Sequence, residues 1–248
     1  MQCIARAEAS RAMFQSRQTD IRNRLLAVLP ADAFALIAPA LERVPLHLHQ
    51  TIFAPHEPIA HAYFVEDGLC SFVADTEAGR IEIGLVGREG LVGIPVVLGT
   101  NRGPFVAMVQ AEGEALRIPA PTLREALDAS SILRGVLGRY VQSFIVQVGY
   151  TSYANVELTI ETRLARWLLM VRDRVGQDDL LMTHEFLSMM LGVRRPGVTT
   201  ALHVLEATGS IRTRRGCIRL LDCDKLRELA GDTYGPAEAE YERLLAQV

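Results

Sequence analysis

The sequence predicts an α+β protein built in three consecutive blocks: an antiparallel β-roll of jelly-roll type, a long helix, and a winged helix-turn-helix. Three observations carry that expectation. Between Val44 and Pro119 short β-type runs alternate with glycine, proline and acidic turns; from Ile132 to Val156 apolar residues step by four and three; and from Thr183 to Leu202 two short helical patterns flank a glycine.

Composition sets the frame for these blocks. A chain of 248 residues with 49 % hydrophobic content has enough apolar material for two ordinary cores. No uninterrupted apolar run approaches the ~18 residues a spanning helix needs, and the opening Met1-Gln2-Cys3-Ile4-Ala5-Arg6 lacks a signal-peptide apolar region, so a cytoplasmic protein without membrane contact is expected. The four cysteines, Cys3, Cys70, Cys217 and Cys223, are scattered and suggest neither a disulfide framework nor a zinc ligand set, with a Cys217–Cys223 pair left open.

Residues 1–20 are polar and mixed, and are read as an N-terminal extension, a frayed or loosely docked helix. From Ile21 to Leu41 the pattern Leu25, Leu26, Leu29, Phe34, Ile37, Leu41 is helical, interrupted at Pro30 and Pro39. The following β-type runs fall at 51–53, 62–65, 70–73, 81–86, 105–109 and 114–118. At least six strands with close turn signals imply a small antiparallel barrel or roll. Helix returns at Pro121. In the long helix Leu133, Leu137, Tyr140, Phe144 and Val148 form one apolar stripe, with Val136, Val141 and Ile145 beside it. One stripe can pack on the roll while the other meets the same helix of a second subunit, and the five residues of the first are taken as the dimer seam. The expected division is therefore 21–130 β-roll, 131–157 dimerisation helix, and 158–248 winged helix-turn-helix with a C-terminal extension.

The helix-turn-helix is marked at its boundaries. Thr183 suits an N-cap, Gly192 the turn, and Pro196 the first turn of the second helix, where no amide bond is lost. Phe186, Leu187, Met190, Val193, Val198, Leu202 and Leu205 would lock the helices together. The chain then stops at Ala207-Thr208-Gly209-Ser210 and runs into two short strands around Arg215-Gly216, a wing. Between Thr183 and Arg219 six arginines face two acids, Glu185 and Glu206, although the net charge of the chain is −3. Such local positive charge is what double-stranded DNA selects.

This order of blocks resembles the bacterial regulators of the CRP/FNR family (cyclic-AMP receptor protein-like), over about Ile21 to Asp222. The residues that carry the likeness are His61-Ala62-Tyr63-Phe64-Val65-Glu66-Asp67-Gly68, Gly87-Arg88-Glu89-Gly90-Leu91-Val92-Gly93, Glu161-Thr162-Arg163-Leu164-Ala165-Arg166-Trp167-Leu168-Leu169, and Leu191-Gly192-Val193-Arg194-Arg195. The resemblance implies a homodimer on an inverted-repeat promoter site, with RNA polymerase as a further partner. It also implies a β-roll that senses a signal and a hinge near Leu158-Thr159 that relays it. Arg195 matches the family's base-reading arginine, and arginine bidentate to guanine is the commonest specific contact. The family's acidic reader falls at Pro196 and its later arginine at Thr200, so the target sequence should differ. Thr199 and Thr200 are the other candidates for base edges. Thr183, His184, Arg194, His203, Arg212, Arg214 and Arg215 are the candidates for phosphates.

The sensor cassette departs further from the family. In members that bind cyclic AMP, a Gly-Glu pair and an Arg-Ser or Arg-Ala pair hold ribose and phosphate, and polar residues of the long helix reach the base. Here Gly103-Pro104 stands at the arginine pair, with Arg102 one position away, and Val148-Gly149 stands at the polar pair. A buried phosphodiester without a fixed cation is heavily penalised, so cyclic AMP is not the expected effector unless a one-residue loop shift brings Arg102 into place. The expected pocket is Arg88, Glu89, Gly90 and Arg102, for an unidentified small molecule. No iron–sulfur cluster is expected from Cys3 alone, nor haem.

Parts of the sequence also fit two other function classes. A cyclic-nucleotide sensor acting through a protein partner would bind no DNA specifically. A cupin-type metalloenzyme would use His47-Leu48-His49, both rings on one strand face, with Glu57, His56 and His61 nearby. The usual glutamate spacing is not met and no later strand supplies a final histidine, so no metal site and no enzyme activity are expected. The segment after Leu226, ending in an amphipathic helix to Leu245, extends past the usual family end and carries no assigned role.

Overall fold

The computed structural model describes residues 17–77 and 79–247, so Cys3 and most of the extension read at 1–20 lie outside the described residues. After a 3₁₀ turn at Gln18–Asp20 come two short helices, α1 (Arg24–Ala27) and α2 (Ala31–Ala35), separated at Pro30 as its missing amide requires. The N-cap of α1, Asn23, is fully buried. Its Oδ1 accepts from Leu26 N at 3.2 Å, and its Nδ2 donates to the carbonyls of Val65 and Gly90 at 2.9 and 2.8 Å. One side chain thus caps a helix and ties it to the sheet.

Six strands build the roll: β1 (Glu42–Leu46), β2 (Thr51–Phe53), β3 (His61–Thr76), β4 (Gly79–Val86), β5 (Leu91–Val92) and β6 (Val106–Pro119), with a short helix α3 (Ile94–Val97) between the last two. All pairings are antiparallel, in the order β1-β6-β3-β4, with β2 on β6 and β5 on β3. The six expected runs are not the six observed strands. Runs 62–65 and 70–73 are one strand, β3, and 105–109 and 114–118 are one strand, β6, while β1 and β5 lie outside the expected runs.

Glu66-Asp67-Gly68 reads as a turn but forms a bulge: the β3–β6 register shifts between Val65 and Asp67, Asp67 and Leu69, and Leu69 and Cys70. Gly68 has φ +85°, and a Cβ on the facing Gly113 would lie 2.2 Å from the Asp67 carbonyl oxygen. Only glycines allow the two long strands to cross this closely and bend.

Helix α4 (Ala120–Ala129) leads into α5 (Ser131–Glu157), capped by Ser130, whose Oγ accepts from Leu133 N at 3.1 Å. Extended backbone at Leu158 and Thr159 separates α5 from α6 (Ile160–Val175). The remainder is β7 (Asp179–Leu181), α7 (His184–Leu191), α8 (Arg195–Ala207), β8 (Ile211–Arg214), β9 (Cys217–Leu220), α9 (Cys223–Ala230) and α10 (Pro236–Leu245). Strand β7 joins the wing hairpin in a three-stranded sheet, β7-β9-β8. Among the described residues Cys70, Cys217 and Cys223 form no disulfide.

Two cores result. The first fills the roll and is closed by α1, α2, α4, the first half of α5 and Tyr241 and Leu245 of α10. The second lies in the helix-turn-helix block but also takes in Leu69, Val73 and Leu85 of the roll. The two halves of the molecule are therefore packed against each other. No helix among the described residues is long and apolar enough to cross a membrane.

Candidate nucleic-acid interface and effector site

Helices α7 and α8 meet around Gly192, whose left-handed φ of +62° closes the turn. A Cβ there would lie 2.7 Å from Ile81 Cδ1 of β4, so the same glycine lets the turn dock on the roll. Thr183 caps α7, its Oγ1 accepting from Phe186 N at 3.1 Å, and its O–H is left to donate elsewhere. The Arg163 guanidinium of α6 donates to the Leu191 carbonyl, fixing the end of α7. Val198, Ala201, Leu202 and Leu205 bury one face of α8, as the spacing required.

The opposite face of α8 presents Arg195, Pro196, Thr200 and His203 to solvent, with Arg194 just ahead of it. Thr199 is held inward. Its Oγ1 donates to the Arg195 carbonyl at 3.2 Å and lies 3.1 Å from His184 Nδ1, so these two candidates clasp α8 to α7 rather than standing free. On the wing, Arg212, Arg214 and Arg215 are exposed. Among the described residues they, Arg194 and Arg195 make no ion pair, whereas Arg219 is neutralised by Asp179 on β7. Glu206 accepts from Thr213 N at 2.8 Å, pinning the wing to the end of α8.

The sensor cassette looks different from its expected form. Arg88 and Glu89 line a cavity of about 130 Å³ beneath α5, together with Tyr140, Phe144 and Gln147. Glu89 is engaged by a nearly buried Arg174 of α6, Nε to Oε1 at 2.7 Å. Helix α10 forms the outer wall: Tyr241 Oη donates to the Glu89 carbonyl at 2.7 Å, and Glu242 accepts both ends of the Arg24 guanidinium at 2.7 Å. Gly90 is buried, with its carbonyl bound by Asn23. Arg102 is not among them: it stands on the surface with Nη1 3.4 Å from the His56 carbonyl oxygen, in a loop whose Asn101 and Gly103 carbonyls accept from the Ile59 and His56 amides. Inside the roll, Phe72 meets Phe53 at a tilt and Phe144 edge-on, at centroid distances of 5.9 and 5.2 Å.

The dimer-seam residues also need correction. Leu133, Leu137 and Tyr140 are buried in the chain's own core, Phe144 packs on Phe72, and Val148 is half-buried. A stripe stepping by four and three shows that a face is covered without saying by which chain. The face of α5 left open is another one, Ile145, Gly149, Ser152 and Val156.

The His47-Leu48-His49 pair is likewise not on a strand. β1 ends at Leu46 and His49 has φ +64°, which breaks the alternation that would align the two rings. No cluster of three or more metal-ligating side chains occurs among the described residues.

Three residues central to this arrangement escaped sequence reasoning. Arg174 and Tyr241 gave no signal beyond membership of amphipathic helices. Glu82 on β4 gave no signal beyond membership of a β-type run, and it is buried. Its Oε2 accepts from Ser71 Oγ at 2.5 Å and its Oε1 from Trp167 Nε1 of α6 at 2.7 Å. Burial pushes its carboxyl up to about 7, against the opposing pull of these two donors and of Arg174 and Arg166.

Comparison with known proteins agrees with this layout. Residues 43–130 match the family model of the cyclic nucleotide-binding domain, and residues 162–229 that of the Crp-like helix-turn-helix domain, in that order along the chain. The chain belongs to the CRP/FNR family. It is a transcription regulator rather than an enzyme. Among solved structures, a CRP/FNR-family regulator from Thermus thermophilus is 25 % identical with a TM-score of 0.63, covering 76 % of this chain and 98 % of its own. FixK2 of Bradyrhizobium japonicum is 16 % identical with a TM-score of 0.67, over 77 % and 98 %. The c-di-GMP-responsive regulator CLP of Xanthomonas campestris is 18 % identical with a TM-score of 0.63, over 77 % and 99 %. The last two share the fold alone. No curated protein matches the sequence.

Proposed function

We propose that this CRP/FNR regulator works in the cytoplasm as a homodimer that binds an inverted-repeat promoter site and contacts RNA polymerase, with residues 21–130 sensing a signal, 131–157 pairing the subunits and 158–248 reading DNA. The observation that carries the DNA reading is the set of solvent-facing arginines at the start of α8 and on the wing, without ion-pair partners among the described residues, in a chain of net charge −3. Arg195, in the first turn of α8, is the base reader, with Thr200 beside it. Arg194, His203, Arg212, Arg214, Arg215 and the free O–H of Thr183 meet phosphates. His184 and Thr199 act mainly by holding α8 at its angle, through their mutual contact. The open face of α5 supports pairing: Ile145, Gly149, Ser152 and Val156 recur at intervals of four, three and four, and Ile145 and Val156 are 57 % and 81 % exposed.

A cyclic nucleotide in the roll is disfavoured. The cavity at Arg88 and Glu89 holds about 130 Å³, below the roughly 300 Å³ at which small-molecule sites begin, and Arg174 already occupies Glu89.

Selection from a random duplex library, with the wild-type chain and Arg195→Ala, with and without cyclic AMP, tests the proposal. The expected result is an inverted repeat with half-site centres ~10 base pairs apart, enriched without cyclic AMP and relaxed at one position per half-site by the variant, at a cost of about 1–3 kcal/mol there. No enrichment in either condition would sink the DNA reading. Enrichment only with cyclic AMP would sink the pocket argument.

A further inference from the structure

A second cavity, of about 300 Å³, lies between the roll and the helix-turn-helix block. Its walls come from both halves: Leu69 and Gln110 from β3 and β6, Trp167 and Val171 from α6, and Met182 and Phe186 at the start of the helix-turn-helix. An adjoining cavity of about 220 Å³ shares Gln110, Met182 and Phe186 with it, so the two form one cleft reaching Thr183, the cap of α7. Leucines stand at its mouth: Leu48 is 45 % and Leu181 is 81 % exposed. Apolar side chains in solvent around an apolar cleft mark a place where something apolar binds.

The polar detail narrows the occupant. Gln110 is 7 % exposed. Its Nε2 donates to Met190 Sδ at 3.3 Å, while its Oε1 accepts nothing from the described residues. A buried carbonyl oxygen without a donor is unfavourable, and a ligand hydroxyl or N–H would relieve it. Among the described residues no lysine or arginine lines the larger cavity, and its acids are Glu112 and Asp179. An anion entering it would lose water and meet no counter-charge.

We propose that this interdomain cleft is a binding site for a neutral, mainly apolar small molecule carrying one hydrogen-bond donor, which sits against Trp167 and donates to Gln110 Oε1. Such a molecule touches the roll and the start of α7 together, so its binding changes how the helix-turn-helix is held. That consequence rests on the DNA-binding reading; the site itself does not.

Trp167 is the single tryptophan of the chain, so its fluorescence reports occupancy directly. Three brominated contact quenchers of similar size separate the requirements: 4-bromobenzyl alcohol (neutral, one donor), 4-bromotoluene (neutral, no donor) and 4-bromobenzoate (anionic). The expected result on the full-length wild-type chain is saturable quenching by the alcohol, saturable but on the order of fivefold weaker quenching by bromotoluene, the effect of one neutral hydrogen bond, and only linear, collisional quenching by the benzoate. Gln110→Met should erase the difference between alcohol and toluene. Linear quenching by all three, or benzoate binding as tightly as the alcohol, would overturn the proposal, and neither outcome depends on the variant folding. DNA affinity measured with and without saturating alcohol is a separate arm. A chain that binds no DNA at all counts against the regulator reading and leaves the quenching result standing.

Discussion

Glu82 couples the roll to α6 through one carboxyl, and its protonation decides how firmly. In the folded chain burial pushes its carboxyl up to about 7, from the 4.5 of an ordinary glutamate. Between these values the folded state holds a proton that the unfolded state has lost, so stability is greatest at the acid side and falls as pH rises through the window, by up to about 3 kcal/mol. Urea unfolding of wild type and Glu82→Gln between pH 4.5 and 8 should show that slope in the wild type and not in the variant; parallel profiles would refute the assignment. The exposed arginines obey a different rule. Arg215→Ala on the wing should weaken binding to all sequences about equally and lower the slope of log affinity against log salt by about 1. Arg195→Ala should instead change which bases are preferred. A salt titration on selected and scrambled duplexes separates the two.

At the scale of elements, what could be read from the sequence was whatever a local period encodes. Helices α5, α7 and α8 and the β8–β9 hairpin were legible because their buried residues repeat at 3.6 or 2, and because Thr183, Gly192 and Gly216 mark their ends. The partners of those faces were not legible. The stripe through Leu133, Leu137 and Tyr140 is covered by its own roll, Glu66-Asp67-Gly68 has the composition of a turn but bulges a continuous strand, and the pairing of Arg174 with Glu89 spans 85 positions. Helix α10 shows the same limit, since amphipathicity foretold a helix and not its address against α5 and Glu89. Its anchor is Tyr241, a buried ring under Arg24 with a hydroxyl on the Glu89 carbonyl. Tyr241→Phe should cost ~1 kcal/mol, the one hydrogen bond, and Tyr241→Ala about 3–5 kcal/mol, the packing as well. Denaturation midpoints of the two variants would check this. Equal midpoints for Tyr241→Ala and wild type would mean that α10 is not docked in solution.

At the scale of the whole molecule, the open face of α5 and the DNA reading depend on each other. A single winged helix offers few base contacts, and two of them on one rigid frame gain affinity because the second half-site binds at high effective concentration. If α5 pairs with its own copy about a two-fold axis, residues on the axis-facing stripe meet their counterparts, and one substitution introduces two like charges. Ile145 is the residue to change: it is 57 % exposed in the single chain, so arginine there leaves the chain's own cores intact. Light scattering should give about twice 27.3 kDa for the wild type and about 27.3 kDa for Ile145→Arg, with the far-ultraviolet circular dichroism unchanged. Affinity for the full inverted repeat should then fall by roughly 10²-fold or more, while affinity for an isolated half-site stays the same. If Ile145→Arg remains dimeric, the pairing face lies elsewhere. If it becomes monomeric without loss on the full site, each winged helix reads DNA alone, and the spacing of half-sites would carry no information about the protein.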